Sequence, residues 1–223
     1  MAGPLSRPGQ VEIMKKDPYK NIAKLYDRLI EPLNRGLRGL GKKMYPPLEN
    51  MKVLDIGCGT GTHLSLYQKA GCVVSGIDLS PAMLQRARKK LGSATSLIQG
   101  DASQMPYPDK SFDLIILTTV LHEMPPNVRT AVIEDSKRVL KDSGRILVID
   151  YHTEPLRSLK GQFNKSMIFM IEKAAGKDHY KNFRQFIDSQ GLPGISAAQE
   201  LFIDARKIVS GGNIALFLLR LKN

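Results

Sequence analysis

The stretch at residues 53–61, VLDIGCGTG, constrains the fold of this chain more than any other. An apolar run at 53–56 with a β-branched residue indicates a buried parallel strand, and three glycines follow at alternate positions. Apolar residues at helical spacing then continue to Ala70, and Gly71 is placed to end a helix. The pattern predicts a strand that enters a glycine turn and continues as a helix.

The acidic residue Asp78 follows this unit at the end of a second apolar run, 72–77. Glycines allow a close approach of the backbone to a ligand, and the start of a helix offers unpaired N–H groups. An acid about 20 residues beyond such a turn can bind both hydroxyls of a ribose. We therefore predict a ligand that carries a ribose.

Asp55 helps to identify that ligand, because it lies two residues before the first glycine. A carboxylate in this position would repel the pyrophosphate of a dinucleotide. S-adenosylmethionine has no phosphate, and it carries a sulfonium and an ammonium group that a carboxylate suits. A further acid, Asp101, follows the third predicted strand, at about 95–99.

Together these motifs resemble those of the class I S-adenosylmethionine-dependent methyltransferases. The resemblance rests on the glycine turn, Asp78, the pair Asp101-Ala102 and the strand at 112–118, in the family's order and spacing. It covers roughly residues 50–150 closely. It implies a Rossmann-like α/β fold with a seven-stranded, mostly parallel sheet whose last strand is inserted antiparallel.

The resemblance also implies which residues hold the cofactor. The glycine turn would hold the methionine part, Asp55 the ammonium group, Asp78 the ribose and Leu79 the adenine ring, while Asp101 would accept from the adenine amino group. The full implied set is Tyr26, Asp55, Gly57, Cys58, Gly59, Gly61, Asp78, Leu79, Asp101, Ala102, Thr118 and Thr119. Each acid alone could be a cap or a surface carboxylate, and Tyr26 could belong to the core instead of covering the cofactor.

The net charge of +12 is concentrated in the two flanks of the chain. Residues 1–52 carry +6 and residues 151–223 carry +5, whereas residues 53–150 carry only +1. In the resembling family the flanks build the substrate side. A positive field there fits anionic membrane lipid, nucleic acid or an acidic small molecule, with solubility alone as the alternative.

The cysteine count and the apolar runs exclude several classes of protein. There are two cysteines and no CxxC, so we predict no metal site and no disulfide framework, and a reducing compartment. The first ten residues lack the apolar core of a signal peptide, and no run reaches the ~20 apolar residues of a membrane span. A cytoplasmic location is expected, with membrane association through basic amphipathic helices left open.

We expect a flexible segment at 1–18 and one methyltransferase domain at 19–223. Within the domain, 19–48 would form an N-terminal helical cap and 156–190 a helical insertion on the substrate side. A methionine-rich apolar stripe within 161–176 is expected to fill the core. Gly-Gly-Asn at 211–213 predicts the turn of a closing hairpin.

The acceptor is indicated less directly. Thr118-Thr119-Val120-Leu121 stands where methyltransferases of nucleic-acid amino groups show D/N/S-P-P-Y/F, which disfavours a nucleic-acid substrate. His122 and His152 are candidate catalytic residues that could orient an acceptor or take its proton, unless they are loop or cap histidines.

The ending GGNIALFLLRLK and the segment YKNFRQFI loosely resemble the ubiquinone/menaquinone-biosynthesis methyltransferases. This favours a small-molecule or lipid-like acceptor, either a quinone precursor or an amino-lipid. A nucleic-acid methyltransferase or binding protein that uses the basic flanks, and a non-catalytic cofactor-binding module, stay open as alternatives. The sequence does not specify an oligomeric state.

Overall fold

The structure, a computed structural model, describes residues 31–154, 156 and 159–222. The described strands are β1 Lys52–Ile56, β2 Val73–Asp78, β3 Ser96–Gln99, β4 Phe112–Thr118, β5 Leu140–Tyr151, β6 Leu201–Val209 and β7 Ile214–Leu221. The described helices are α1 Glu31–Met44, α2 Thr62–Gln68, α3 Pro81–Leu91, α4 Pro126–Val139, α5 Leu159–Ala174, α6 Lys177–Asp188 and α7 Gly191–Ala198, with 3₁₀ turns at Leu121–Glu123 and Ser210–Gly212. The predicted segment 1–18, the first part of the helical cap and Tyr26 lie outside the described residues.

The strands form one sheet in the order β3-β2-β1-β4-β5-β7-β6. β1 pairs in parallel with β2 and β4, and β7 runs antiparallel to both β5 and β6. This confirms the predicted α/β fold with an antiparallel last strand. Since β1 and β4 are central and parallel, their carboxyl ends meet at one edge of the sheet, where ligands bind in open α/β folds.

Hydrophobic clusters cover the sheet on both sides, which explains why β4 consists almost wholly of apolar residues. Helix α1 packs on one side through Leu37, Leu40 and Met44. It approaches the sheet closely: a Cβ added at Gly41 would lie 2.9 Å from Cδ2 of Leu147. This contact brings the polar side chains of α1 to the ligand edge.

Helix α3 begins as its sequence predicts. The Ser80 hydroxyl accepts a hydrogen bond from the Met83 amide at 3.1 Å, and Pro81 occupies the first turn. The cap fixes the chain directly after Asp78, the last residue of β2.

Strand β5 contains a register shift between the pairs Leu140–Phe112 and Arg145–Leu114. One sequence expectation differs from the structure. The methionine-rich stripe of α5 does not fill the core: Phe163 is 72% exposed, Met170 66% and Ile171 57%. That prediction was wrong, because α5 lies outside the two layers that cover the sheet.

In the part of the chain that the structure describes, no helix has the length and apolarity needed to span a membrane.

Candidate functional site

The glycine turn between β1 and α2 forms the floor of the candidate site. Gly57, Gly59 and Gly61 have φ of +68°, +52° and +74°, in the left-handed region that glycine tolerates best. A Cβ at Gly57 would lie 2.7 Å from Cγ2 of Val120, whereas one at Gly59 would meet no atom within 4 Å. The turn therefore packs on the end of β4 through Gly57 and opens to free space at Gly59, where a ligand can approach the backbone.

Asp55 is buried beneath this turn, with 2% of its surface exposed. Its Oδ1 has no hydrogen-bond partner among the described residues. Burial raises the pKa of Asp55 to about 8; the charge of Arg38 opposes the shift and that of Asp78 adds to it. A buried carboxylate oxygen without a donor fits the ammonium group of S-adenosylmethionine, so the residues present suit that cofactor.

The charge of Arg38 acts on both Asp55 and His63. Arg38 comes from α1 and is 8% exposed, and His63 comes from the first turn of α2. His63 Nδ1 lies 3.0 Å from the hydroxyl of Thr118, and burial together with the charge of Arg38 lowers the pKa of His63 to about 3. His63 is therefore a neutral partner of Thr118 rather than a charged group.

Thr119 has φ of +51°, although β-branched residues rarely adopt the left-handed region. Its amide donates to the Ile149 carbonyl at 2.7 Å and its hydroxyl to the Thr118 carbonyl at 2.8 Å. These bonds hold the strained backbone at the carboxyl end of β4, and such strain is concentrated at functional sites. Thr118 and Thr119 thus lie at the edge where the sequence places them.

Asp78 is fixed at the end of β2 by two backbone amides. Its Oδ2 accepts from Gly59 and its Oδ1 from Ser80, both at 2.8 Å. These two bonds fix the orientation of the carboxylate at the ligand edge. Leu79, the next residue, is 48% exposed, which suits the predicted contact with a flat ring.

The remaining predicted cofactor residues line the same edge. Asp101 Oδ1 accepts from the Ser103 amide at 2.9 Å, while Ala102 is buried in the core. Cys58 is also buried, and burial raises the pKa of its thiol well above the ordinary value. Cys58 is thus an unreactive thiol that packs in the turn.

A second polar group lies beyond β4, two residues past the Val120 that packs on the turn. Asp150, the penultimate residue of β5, is fully buried and accepts from the amides of Leu121 at 3.0 Å and Tyr151 at 2.8 Å. Its Oδ1 also accepts from Nδ1 of His122 at 2.7 Å. The ends of β4 and β5 therefore hold a histidine–carboxylate pair beside the cofactor edge.

Helices α5 and α6 complete this group. The Tyr151 hydroxyl donates to Oε1 of Glu172 at 2.6 Å, and His179 donates from Nε2 to Oε2 of the same carboxylate. Nε2 of His122 lies 3.7 Å from that Oε2. We call His122, Asp150, Tyr151, Glu172 and His179 the His122 cluster.

The cluster is buried and strongly polarised. Burial alone would lower the pKa of His122, but Asp150, Glu123 and Glu172 raise it to about 9. Burial alone would raise the pKa of Glu172, but the hydrogen bond from His179 and the charge of His122 hold this pKa below its usual range. Glu172 is therefore ionised, and the charge of the His122 ring stabilises it.

Aromatic rings and polar contacts from α6 enclose the cluster. The ring of His122 lies 4.6 Å from that of Tyr151 and 6.3 Å from that of Phe183, centroid to centroid. Asn182 donates to the Glu123 carbonyl at 2.7 Å, and Arg129 donates to the Leu121 carbonyl at 2.9 Å. The bond from Asn182 fixes α6 on the 3₁₀ turn that carries His122, and the bond from Arg129 fixes α4 on the same turn.

The other predicted catalytic residue, His152, belongs to a different pair. Its Nε2 lies 3.5 Å from Oε2 of Glu154, whose Oε1 accepts from Arg206 at 3.3 Å. Burial lowers the pKa of His152, although Glu154 opposes the shift. The structure thus joins His122, and not His152, to the polar cluster.

Sequence reasoning missed four residues of the site: Arg38, His63, Glu172 and His179. Arg38 lies in a basic helix, and no local signal distinguishes it from Arg35 or Lys42. Glu172 offered a signal, since it is an acid inside an apolar helical segment. His179 immediately precedes the segment YKNFRQFI that carries the loose resemblance.

Comparison with known proteins supports this description. The family model described as Methyltransferase domain matches residues 53–144. A demethylmenaquinone methyltransferase of Tropheryma whipplei is 36% identical over 165 residues, which are 70% of this chain and 66% of that protein. An uncharacterized methyltransferase of Synechocystis is 38% identical over 112 residues, 48% of this chain, and the chain spans about half of its length, 52%.

A demethylmenaquinone methyltransferase of Listeria welshimeri matches over more of its length, at 28% identity and 84% of both chains. Among solved structures, a SAM-dependent methyltransferase from Aquifex aeolicus superposes with a TM-score of 0.60 at 20% identity, over 93% of this chain and 100% of that one. The PH0226 protein from Pyrococcus horikoshii gives a TM-score of 0.62 at 22% identity, over 86% and 92%. These structures share the fold described above.

Proposed function

The chain belongs to the class I S-adenosylmethionine-dependent methyltransferases, and we propose that it methylates a hydroxylated ring on an apolar, quinone-type acceptor. The observation that carries the proposal is the buried pair His122–Asp150, two residues beyond the Val120 side chain that packs on the glycine turn. This pair supports the proposal because it offers a proton acceptor close to the proposed position of the methyl donor.

We assign the cofactor to the edge formed by the glycine turn and the ends of β2 and β4. Asp55 would pair with its ammonium group, Asp78 with its ribose hydroxyls and Leu79 with its adenine ring. When bound, this cofactor supplies an electrophilic methyl group on a sulfonium sulfur. The chain would contribute by holding acceptor and donor in line, because positioning supplies much of the rate in such displacements.

A phenol-like acceptor must lose a proton as its carbon or oxygen attacks the methyl group. Asp150 accepts from Nδ1 of His122, so Nε2 of the neutral ring is the nitrogen that would take that proton. Because the pKa of His122 is raised to about 9, the neutral ring gains population as the pH rises, and turnover should rise with the pH up to about 9. An amine acceptor that arrives neutral would need no such group. The buried dyad therefore favours a hydroxylated ring over an amino-lipid.

Two further observations support an apolar acceptor. The demethylmenaquinone methyltransferases of Tropheryma and Listeria act, by their names, on a lipid quinone. The exposed apolar face of α5 is formed by Phe163, Met167, Met170 and Ile171, and the helix lies in the basic flank 151–223. We propose that this face contacts the anionic membrane that holds the acceptor.

The test is methyl transfer from labelled S-adenosylmethionine to demethylmenaquinol in vesicles. Matched samples contain the oxidised quinone, phosphatidylethanolamine or RNA. We expect label in the quinol alone, since only the reduced ring has hydroxyl protons to lose.

His122→Asn should lower turnover about 100-fold, the typical contribution of a general base, while His152→Asn should stay within a few-fold of wild type. Both histidines are buried, so they form a matched pair. Label in phosphatidylethanolamine or RNA would show that the acceptor is not a quinol. Equal turnover by the two variants would show that His122 does not act in the reaction.

A further inference from the structure

Three atoms of the His122 cluster converge as metal ligands do. Nε2 of His122, one carboxylate oxygen of Glu172 and one ring nitrogen of His179 lie within 4.8 Å of one another. Ligand atoms about 2.1 Å from a shared cation are separated by about 3 to 3.5 Å. Small side-chain movements would therefore place all three around one ion.

The atoms that would not bind the ion are already occupied. Nδ1 of His122 donates to Asp150 at 2.7 Å, and Oε1 of Glu172 accepts from the Tyr151 hydroxyl at 2.6 Å. A carboxylate on the distal ring nitrogen is the usual outer partner of a metal-bound histidine, because it fixes the tautomer and the ring orientation. His122 and Glu172 thus each present one determined ligand atom.

The charge around the site also suits a cation. The carboxylates of Asp150, Glu123 and Glu172 face the cluster, and Arg129 acts on Asp150 as a permanent positive charge. When the two imidazoles are neutral, as ligands must be, a deficit of positive charge is left in a buried place. A divalent ion compensates it.

We propose that His122, Glu172 and His179 bind a divalent first-row transition-metal ion. Two imidazoles and one carboxylate leave coordination positions open, and this donor set suits Fe²⁺, Co²⁺, Mn²⁺ or Zn²⁺. The prediction of no metal site rests on the cysteines, and cysteine counting does not detect a site made of histidine and glutamate.

This inference deepens the proposed function and, for its chemical role, rests on it. With an ion bound, Nε2 of His122 is a ligand and no longer a proton acceptor. The ion instead lowers the pKa of a coordinated acceptor hydroxyl, which loses its proton to solvent before the ring attacks the methyl group. Binding of the ion itself requires neither cofactor nor acceptor.

The test is metal binding by the full chain, dialysed against EDTA and titrated with Co²⁺ in the absence of cofactor and acceptor. We expect about one equivalent of Co²⁺ per chain, with visible absorption bands of a nitrogen- and oxygen-bound ion and a higher melting temperature. His179→Asn and Glu172→Gln should lose the bands. His152→Asn is the matched control and should keep them, because His152 pairs with Glu154 outside the cluster.

Circular dichroism of each variant tests whether it folds. His179 is the safest substitution, since 22% of its side chain is exposed. Wild type that binds no more Co²⁺ than His179→Asn, or equal loss of the bands in His152→Asn, would overturn the metal site. Turnover of quinol by protein that binds no ion would refute the metal site and leave the proposed function intact. Ion binding without turnover of any acceptor would support the metal site and refute the proposed function.

Discussion

Asp55 is the clearest case of a residue whose environment points to a ligand. Its carboxyl group is buried, one oxygen has no donor among the described residues, and its pKa is raised to about 8. In the free protein at pH 7 this group is therefore mostly protonated. The cofactor ammonium would favour the carboxylate, so binding must expel the proton.

We predict that S-adenosylmethionine binding at pH 7 releases close to one proton from wild type and none from Asp55→Asn. Calorimetry in two buffers of different ionisation enthalpy measures this release. The variant should bind about 10- to 100-fold more weakly, the effect of losing one charge-assisted hydrogen bond. Binding by wild type without proton release would show that Asp55 does not meet the ammonium group.

The same shift has a consequence for stability. The pKa of Asp55 in the folded protein lies above its unfolded value of about 3.9, so protonation favours the fold. This contribution to the free energy of unfolding is fully present below about pH 4 and is lost as the pH rises through 8. Asp55→Asn has no charged form to bury, and in the absence of cofactor it should melt higher than wild type above pH 8.

Among single residues, the sequence predicted those whose position follows from a short local pattern. Asp78 follows a strand at a fixed distance from a glycine turn, and its two amide bonds are consistent with the predicted place. Arg38 could not be predicted, because its charge acts on Asp55 only after α1 packs on the sheet. Burial at a single position of an amphipathic helix depends on that packing and not on its periodicity.

Among the elements, α5 departs most from its prediction. Its apolar residues have the spacing of a core helix, yet Phe163 and Met170 are 72% and 66% exposed. Periodicity identifies an apolar face but not what covers it. We propose lipid as the partner of this face because the helix lies in the basic flank 151–223 of the chain.

We predict that the paired substitution Phe163→Asp and Met170→Asp abolishes co-sedimentation with anionic liposomes and leaves cofactor affinity unchanged. Leu48→Asp is the matched control, since Leu48 is 69% exposed and precedes β1, at the amino ends of the parallel strands. It should bind liposomes like wild type. Equal binding by the paired variant would exclude α5 as the membrane contact.

The fold as a whole was the easiest feature to predict. The resemblance to class I methyltransferases implied a mostly parallel sheet with an antiparallel last strand, which is the observed arrangement, and Gly-Gly-Asn at 211–213 predicted the turn between β6 and β7. The His122 cluster was not predictable as a unit. Its members come from the end of β4, the end of β5, α5 and α6, and only the packing of α6 on the 3₁₀ turn joins them.

The positive charge of the chain is distributed unevenly. The basic flanks include α5 and α6, which lie over the His122 cluster, whereas the sheet region that would hold the cofactor is nearly neutral. An anionic surface would therefore attract the proposed acceptor side. High salt should weaken that attraction, because it screens exposed charges.

The measurement that most directly tests the account is label transfer from methyl-labelled S-adenosylmethionine to a total lipid extract, beside an aqueous extract and RNA. We predict label in an organic-soluble product with wild type, and none with Asp78→Ala, which loses the proposed ribose contact. Label confined to the aqueous or RNA fraction would contradict the lipid acceptor. No label in any fraction, from protein that still binds the cofactor, would contradict catalysis itself.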